Sequence, residues 1–339
     1  MPQAQAFVNW LHAHLSAEGV QVTPTPTGLS MHMPQVGSLA FHGIEAERFA
    51  CDITPVDDRM AELIELSLDE HAQEFLQQQG LPVERLQLHW QARPRRPQAH
   101  RFQRVTVCAV HDLTPHLRRV HLAVPVIQPF AGDGLHVRLL LPRAGEPVAW
   151  PGLDAGGRLQ WPAGQLPLPQ RIYTIRHSDA AQGWIELDIV RHTHDAPGAQ
   201  WITRVQPGDV VGLLGPPGGS LPQAEHLVLI ADLTALPAAA RMAEMQSRRG
   251  GTVQLHALLE HAEDAAYLPA APHVHVHIGD ASAFSQQARA TLSALPVPGG
   301  PSCAVWVAGH QSLVQGLRAW LRQQPLPHLA PPKLAVYWS

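Results

Sequence analysis

Arg171-Ile172-Tyr173-Thr174-Ile175-Arg176 is the stretch on which the reading of the chain turns. If it is a strand, Arg171 and Tyr173 share one face while Thr174 turns to the other face or to the edge. Strands of the same texture flank it: FQRVTVCAV at 102–110, RRVHLAV at 118–124, HVRLLLP at 136–142 and WIELDIV at 184–190. The turns between them are rich in Pro, Gly and Asp, so residues 101–221 read as an antiparallel β-barrel. Residues 210–214 form its last predicted strand. Gly215-Pro216-Pro217-Gly218-Gly219 follows, read as a loop whose backbone passes close to a ligand.

After Pro222 the texture changes. Strands are predicted at 226–231, 252–259, 273–278, 304–308 and 333–338, and helices at 234–248, 282–294 and 311–323. That alternation predicts a parallel sheet in an α/β domain over 222–339. Upstream, 1–92 reads as a small α+β domain of unassigned role: a helix over 2–18, a small antiparallel sheet over 20–52, a helix over 56–79 and a strand over 86–90. Basic, proline-rich residues 93–100 are the expected linker. The predicted class is therefore multidomain α+β.

Composition removes several functions. Of 339 residues, 15% are charged and the formal net charge is -4, which offers no general attraction for nucleic acid or anionic lipid. No apolar run approaches the ~18–20 residues of a membrane span and no leader is recognisable, so a cytoplasmic protein is expected. Cys51, Cys108 and Cys303 lie far apart, against a disulfide framework or an iron–sulfur cluster. Lys333 is the only lysine among 24 basic residues, which nearly excludes Schiff-base chemistry. There is no phosphate-binding loop motif and no nucleophile elbow.

A barrel followed by a mononucleotide-binding-like domain resembles the ferredoxin reductase superfamily, and Arg171, Tyr173 and Thr174 are similar to its flavin motif R-x-Y-T. Further segments resemble one branch, the siderophore-interacting protein family of FAD-dependent ferric-siderophore reductases, over about residues 97–338. Asp133-Gly134-Leu135-His136-Val137-Arg138-Leu139 is similar to the first barrel signature, with Arg138 in place of its lysine. Val190-Arg191-His192 and Ala196-Pro197-Gly198-Ala199-Gln200-Trp201 are similar to V-x-H and G-P-A-S-x-W, with Ala199 where serine is usual. Ala231-Asp232-Leu233-Thr234-Ala235-Leu236-Pro237-Ala238 resembles G-D-E-T-A-L-P-A, and Trp306-Val307-Ala308-Gly309-His310 resembles W-x-A-G-E. Leu233 and His310 thus replace two glutamates.

The resemblance implies FAD bound by His136, Arg138, Arg171, Tyr173, Thr174, His192, Pro197, Gly198, Ala199, Trp201 and Trp338. It implies a nicotinamide channel at Asp232, Thr234, Ala235, Ala308 and Gly309. Thr174 and Asp232 are the candidate catalytic residues, and Lys333 and Tyr337 the candidate contacts to a ferric siderophore. NADPH, NADH or a ferredoxin would supply electrons. Arg248 and Arg249 are placed to meet a 2′-phosphate, whereas Glu260 suits a plain ribose. A non-catalytic siderophore or flavin carrier and a general flavin or ferric-chelate reductase remain alternatives.

His273, His275 and His277 share one face of a predicted strand, read as a half-exposed strand with histidine as its polar face. Same-face positions ~6–7 Å apart do not converge on one ion, so no resident metal is expected.

Overall fold

The computed structural model describes residues 3–17, 20–25, 28–33, 36–81, 102–153, 159–191, 196–295, 302–324, 326 and 332–338. The chain divides into two compact units, Met1–Pro94 and Arg95–Ser339. The predicted strand at 86–90 and the linker at 93–100 lie outside the described residues.

In the first unit, helices α1 (Ala4–Ala17) and α2 (Asp58–Gln78) flank, in sequence, an antiparallel sheet in the order β1 (Gln21–Thr25), β2 (Gly28–Met33), β3 (Gly37–His42) and β4 (Ala50–Pro55). Strict alternation sends Leu29, Met31, Leu39 and Phe41 to one face. There they pack with Phe7, Leu11 and Phe75 from the helices.

The second unit opens with a closed antiparallel barrel. Its strands are β5 (Phe102–Thr114), β6 (Leu117–Ala123), β7 (His136–Leu140), β10 (Gln170–Asp179), β11 (Trp184–Val190) and β12 (Val210–Gly218), closed in the order β10-β11-β6-β5-β12-β7. A small ribbon of β8 (Gly152–Leu153) and β9 (Leu159–Gln160) and the helix α3 (Pro197–Arg204) lie between strands in sequence. Val105, Val120, Leu122, Val137, Leu139, Ile175 and Leu187 fill the barrel. One expectation is corrected here: β12 runs on through Gly218 rather than ending in a loop. Pro216 and Pro217 have no N–H to donate, so the ladder with β7 breaks after Leu214 and resumes where Gly218 pairs with His136.

The rest forms a parallel sheet in the order β15-β14-β13-β16-β17, from β13 (His226–Asp232), β14 (Thr252–Leu259), β15 (Val274–Ile278), β16 (Cys303–His310) and β17 (Lys333–Trp338). Helix α4 (Leu236–Arg248) covers one face, and α5 (Ala281–Ser293) with α6 (Gln311–Gln323) the other. β13 is central and almost wholly apolar, as a strand buried on both faces must be. The chain lays β14 and β15 to one side of β13 and β16 and β17 to the other. The C-terminal ends of β13 and β16 therefore flank the switch point, where open α/β sheets form a ligand crevice.

The histidine strand is also corrected. The strand is half-exposed, with His273 exposed, but the more exposed face of β15 is the apolar one: Val276 and Ile278 are 39% and 50% exposed, while His275 and His277 are half-buried beside His256 of β14. His256 Nδ1 lies 3.0 Å from His277 Nε2, and its ring stacks on His275 with centroids 4.7 Å apart.

Candidate functional site

Two groups of residues meet in the second unit, one on the barrel and one at the crevice of the sheet. On the barrel, β10 pairs with β7 so that Thr174 lies opposite His136 and Tyr173 opposite Val137. Tyr173 therefore faces the barrel core and packs against it, whereas Ile172 and Thr174 face outward. Ile172 is 56% exposed beside the buried Thr174, which leaves an exposed apolar surface at this point of the outer wall.

Tyr173 and Arg171 converge on the start of α3. A Cβ at Gly198 would stand 2.7 Å from Tyr173 Oη and 3.5 Å from Arg171 Cγ, so only glycine admits this approach. Ala196 caps the helix with no side-chain bond, and the first bond inside it runs from Gln200 N–H to the Ala196 carbonyl at 2.9 Å. The N–H groups of Gly198 and Ala199 precede that bond and have no acceptor within the helix. Ala199 itself is buried, its carbonyl accepting from Thr203 Oγ1 at 2.8 Å, and Trp201 packs in the barrel core 6.3 Å from the Tyr173 ring. Pro197 opens the helix, where its missing N–H costs nothing. Arg138 lies opposite Ile172 on β7. His192 lies outside the described residues.

His136 joins the barrel to the last strand. Its Nε2 lies 2.7 Å from Tyr337 Oη, and burial, with the Lys333 and Arg241 charges, pulls its pKa down to about 4. It is therefore neutral at physiological pH. Burial also raises the Tyr337 phenol well above its ordinary value, so the proton stays on the oxygen. Lys333 heads the same strand as an exposed side chain, with partial desolvation of its amine lowering its pKa.

At the crevice, Asp232 is the hub. Oδ1 accepts from Thr234 N (2.9 Å), Thr234 Oγ1 (2.6 Å) and Ala235 N (3.3 Å); Oδ2 accepts from His310 N (2.6 Å) and Trp338 Nε1 (3.0 Å). One carboxylate thus ties the ends of β13, β16 and β17 together. Gly309 has φ +154°, and a Cβ there would fall 2.5 Å from the Asp232 carboxylate. Ala308 and Ala235 are core residues behind this crevice. The two family departures have local roles: Leu233 packs against the core, and the His310 ring caps α6 by accepting from Ser312 N at 3.2 Å.

Arg248 and Arg249 do not reach this crevice. They end α4, which carries the chain back to the N-terminal edge of the sheet, just before β14 begins at Thr252. Arg249 is bonded there to Asp133 at 2.8 Å. Glu260, directly after β14, is at the C-terminal edge. Several ties between barrel and sheet had no signal in the local sequence. Arg176 is held by Glu244 (2.5 and 2.9 Å), Tyr267 Oη donates to Asp188 (2.7 Å), and the buried Asp264 accepts from Thr114 (2.5 Å) beside His116 (2.9 Å). Among the described residues, no three His, Cys, Asp or Glu side chains form a metal site, and no helix is long and apolar enough to cross a membrane.

These features fit FAD. The Gly198 cradle and the unbonded helix start suit a pyrophosphate beside Arg171. The shelf of Ile172 and Thr174, bordered by His136, suits a planar ring.

Comparison with known proteins agrees. Residues 106–220 match the siderophore-interacting FAD-binding domain, and residues 224–339 match the siderophore-interacting protein model. The ferric vibriobactin reductase of Vibrio cholerae is 28% identical over 197 residues, covering 57% of this chain and 72% of that protein. A siderophore utilization protein from T. fusca is 28% identical with TM-score 0.58, and the siderophore-interacting protein SipS from Aeromonas hydrophila 26% with 0.56; each match covers 70% of this chain and 92% of the other. With barrel, crevice and both matched regions taking in more than half of its length, the chain belongs to the siderophore-interacting protein family.

Proposed function

We propose that the protein is an FAD-dependent ferric-siderophore reductase that draws electrons from a reduced nicotinamide. The observation that carries this reading is the meeting of Arg171, Tyr173 and the start of α3 around Gly198, on the same strand as the outward-facing Thr174. FAD, when bound, accepts two electrons as hydride and gives them up singly. The substrate is Fe(III) held by hard oxygen ligands, which bind Fe(II) less well, so one-electron reduction loosens the complex without cutting the siderophore.

The chain's own residues divide the work. Arg171 and the Gly198 and Ala199 N–H groups bind pyrophosphate. Tyr173 fixes the helix start against the barrel, and Thr174 and His136 orient the ring. His136, neutral and bonded to Tyr337, offers no competing charge there. Asp232 holds the crevice open to nicotinamide by fixing Thr234, His310 and Trp338; with both oxygens engaged it acts as a positioning residue. Lys333 stands ready for an anionic siderophore.

The donor best suited to the crevice is NADH. Residues 252–281 contain no lysine or arginine, and Glu260 directly follows β14 at the C-terminal edge with the exposed Glu263 close behind it, so a 2′-phosphate there would meet repulsion rather than a cationic partner.

The test is anaerobic spectroscopy of the purified, FAD-loaded protein. Flavin absorption should bleach on adding NADH and return on adding a ferric siderophore, with Fe(II) trapped by a colorimetric chelator. A protein that takes up no FAD would sink the proposal. Bound flavin indifferent to both nicotinamides but reduced by ferredoxin would move the donor to a protein.

A further inference from the structure

Arg241, in the second turn of α4, is 7% exposed. Burying a guanidinium is costly unless its charge is answered. Other arginines of this unit follow that rule: Arg176 is answered by Glu244, Arg119 by Asp188 (2.7 and 2.8 Å) and Arg249 by Asp133. Arg241 does not. Among the described residues its hydrogen bonds go to main-chain carbonyls, Nη1 to Ile175 O at 2.6 Å and Nη2 to Gly132 O at 3.0 Å. Burial brings its pKa down to about 10, which leaves it protonated at neutral pH.

The two carbonyls belong to the two sides of the flavin shelf. Ile175 follows Thr174 at the point where β10 leaves β7 for β11, and the ladder shifts register between Ile175 and His177. Irregular points of this kind free main-chain groups for side-chain partners. Gly132 lies four residues ahead of His136, which is paired with Thr174. One rigid, planar fork therefore spans both segments, a task for which the flexible lysine ammonium is poorly shaped.

Resting on the FAD reading, we propose that Arg241 is a positioning residue of the flavin site. It holds the segment leading into β7 and the β10 segment together beside Thr174, and lends a positive charge that no directly bonded carboxylate offsets to a bound group that becomes more negative on reduction. The charge favours reduced over oxidised flavin, so its removal alters the ratio of the two affinities and not merely their common value.

The experiment compares wild type, Arg241→Met, Arg241→Gln and Arg241→Lys, each loaded with FAD and checked for folding by circular dichroism. The bound-flavin midpoint potential, set against free FAD, gives the ratio of reduced to oxidised affinity. Arg241→Met and Arg241→Gln should lower that ratio about tenfold, roughly 30 mV for a two-electron couple, and Arg241→Lys should recover most of it. A purely structural role would weaken both oxidation states alike and leave the ratio in place. A folded Met or Gln variant whose ratio stays within twofold of wild type overturns the proposal. If the wild type takes up no FAD, the flavin reading itself fails, visibly and before any variant is made, and the proposal falls with it.

Discussion

Substituting Gly198 by alanine puts the site geometry to its sharpest test. The added Cβ would stand 2.7 Å from Tyr173 Oη, against 3.4 Å or more for an ordinary contact, so the phenol must retreat by about 0.7 Å. Retreat is opposed, because the ring packs against the barrel core beside Trp201. Overpacking of this kind costs ~1–3 kcal/mol, and the better helix propensity of alanine offsets ~1 kcal/mol of that, leaving a net loss of about 0–2 kcal/mol in the empty protein. Binding should suffer more, because the methyl and the displaced phenol crowd the first-turn N–H groups and the Arg171 stem. A loss of ~1.4–2.8 kcal/mol corresponds to a 10- to 100-fold weaker Kd for FAD. Quenching of flavin fluorescence on titrating apoprotein with FAD measures this directly. Thermal unfolding of G198A, Y173F and the double variant then isolates the cause: removing the hydroxyl should recover at least half of any stability that G198A loses. A G198A protein binding FAD within twofold of wild type would refute the cradle.

Other expectations follow from the same geometry. Burial first, then neighbouring positive charge, lowers His136 and His256 from 6.5 to about 4. The unfolded chain therefore binds protons that the fold refuses, so stability is complete above about pH 6.5 and falls as pH drops towards 4. Each histidine should cost about 2 kcal/mol by pH 5, read as urea-unfolding free energies at pH 7.5 and 5; replacing His256 by phenylalanine should flatten the slope, and an unchanged slope would contradict its burial. Asp232→Asn keeps one acceptor but sets an NH2 against donors, so it should lose ~2–4 kcal/mol and lower Tm by several degrees in calorimetry. A melting point within a degree of wild type would mean the five bonds to Asp232 matter little. NADH should bleach the flavin at least tenfold faster than NADPH under stopped flow, and Arg249→Ala, at the far edge of the sheet, should leave that ratio untouched. Faster reduction by NADPH would reverse the donor assignment.

The parts of this fold legible in the sequence are those written in local periodicity. The strand at Arg171–Arg176 and the apolar run of β13 declare themselves because every residue that matters is a neighbour of the next. Periodicity says which residues share a face but not which face is buried, and β15 illustrates the gap. Its histidines alternate faultlessly, yet the half-burial of His275 and His277 depends on His256, a residue of another strand. Arg248 and Arg249 fail for a related reason. They stand close to β14 in sequence, but a crossover helix returns the chain to the start of the next strand, the edge opposite the crevice. Arg241 carried no signal at all, because its acceptors lie 66 and 109 residues away and are backbone groups with no side-chain identity to match. The replaced glutamates yield to the same reasoning. Loss of both acids would matter if they held the crevice, but that work falls to Asp232, while Leu233 packs and His310 caps. Leu233 and His310 therefore leave the frame of the crevice in place, because Asp232 ties the ends of β13, β16 and β17 together.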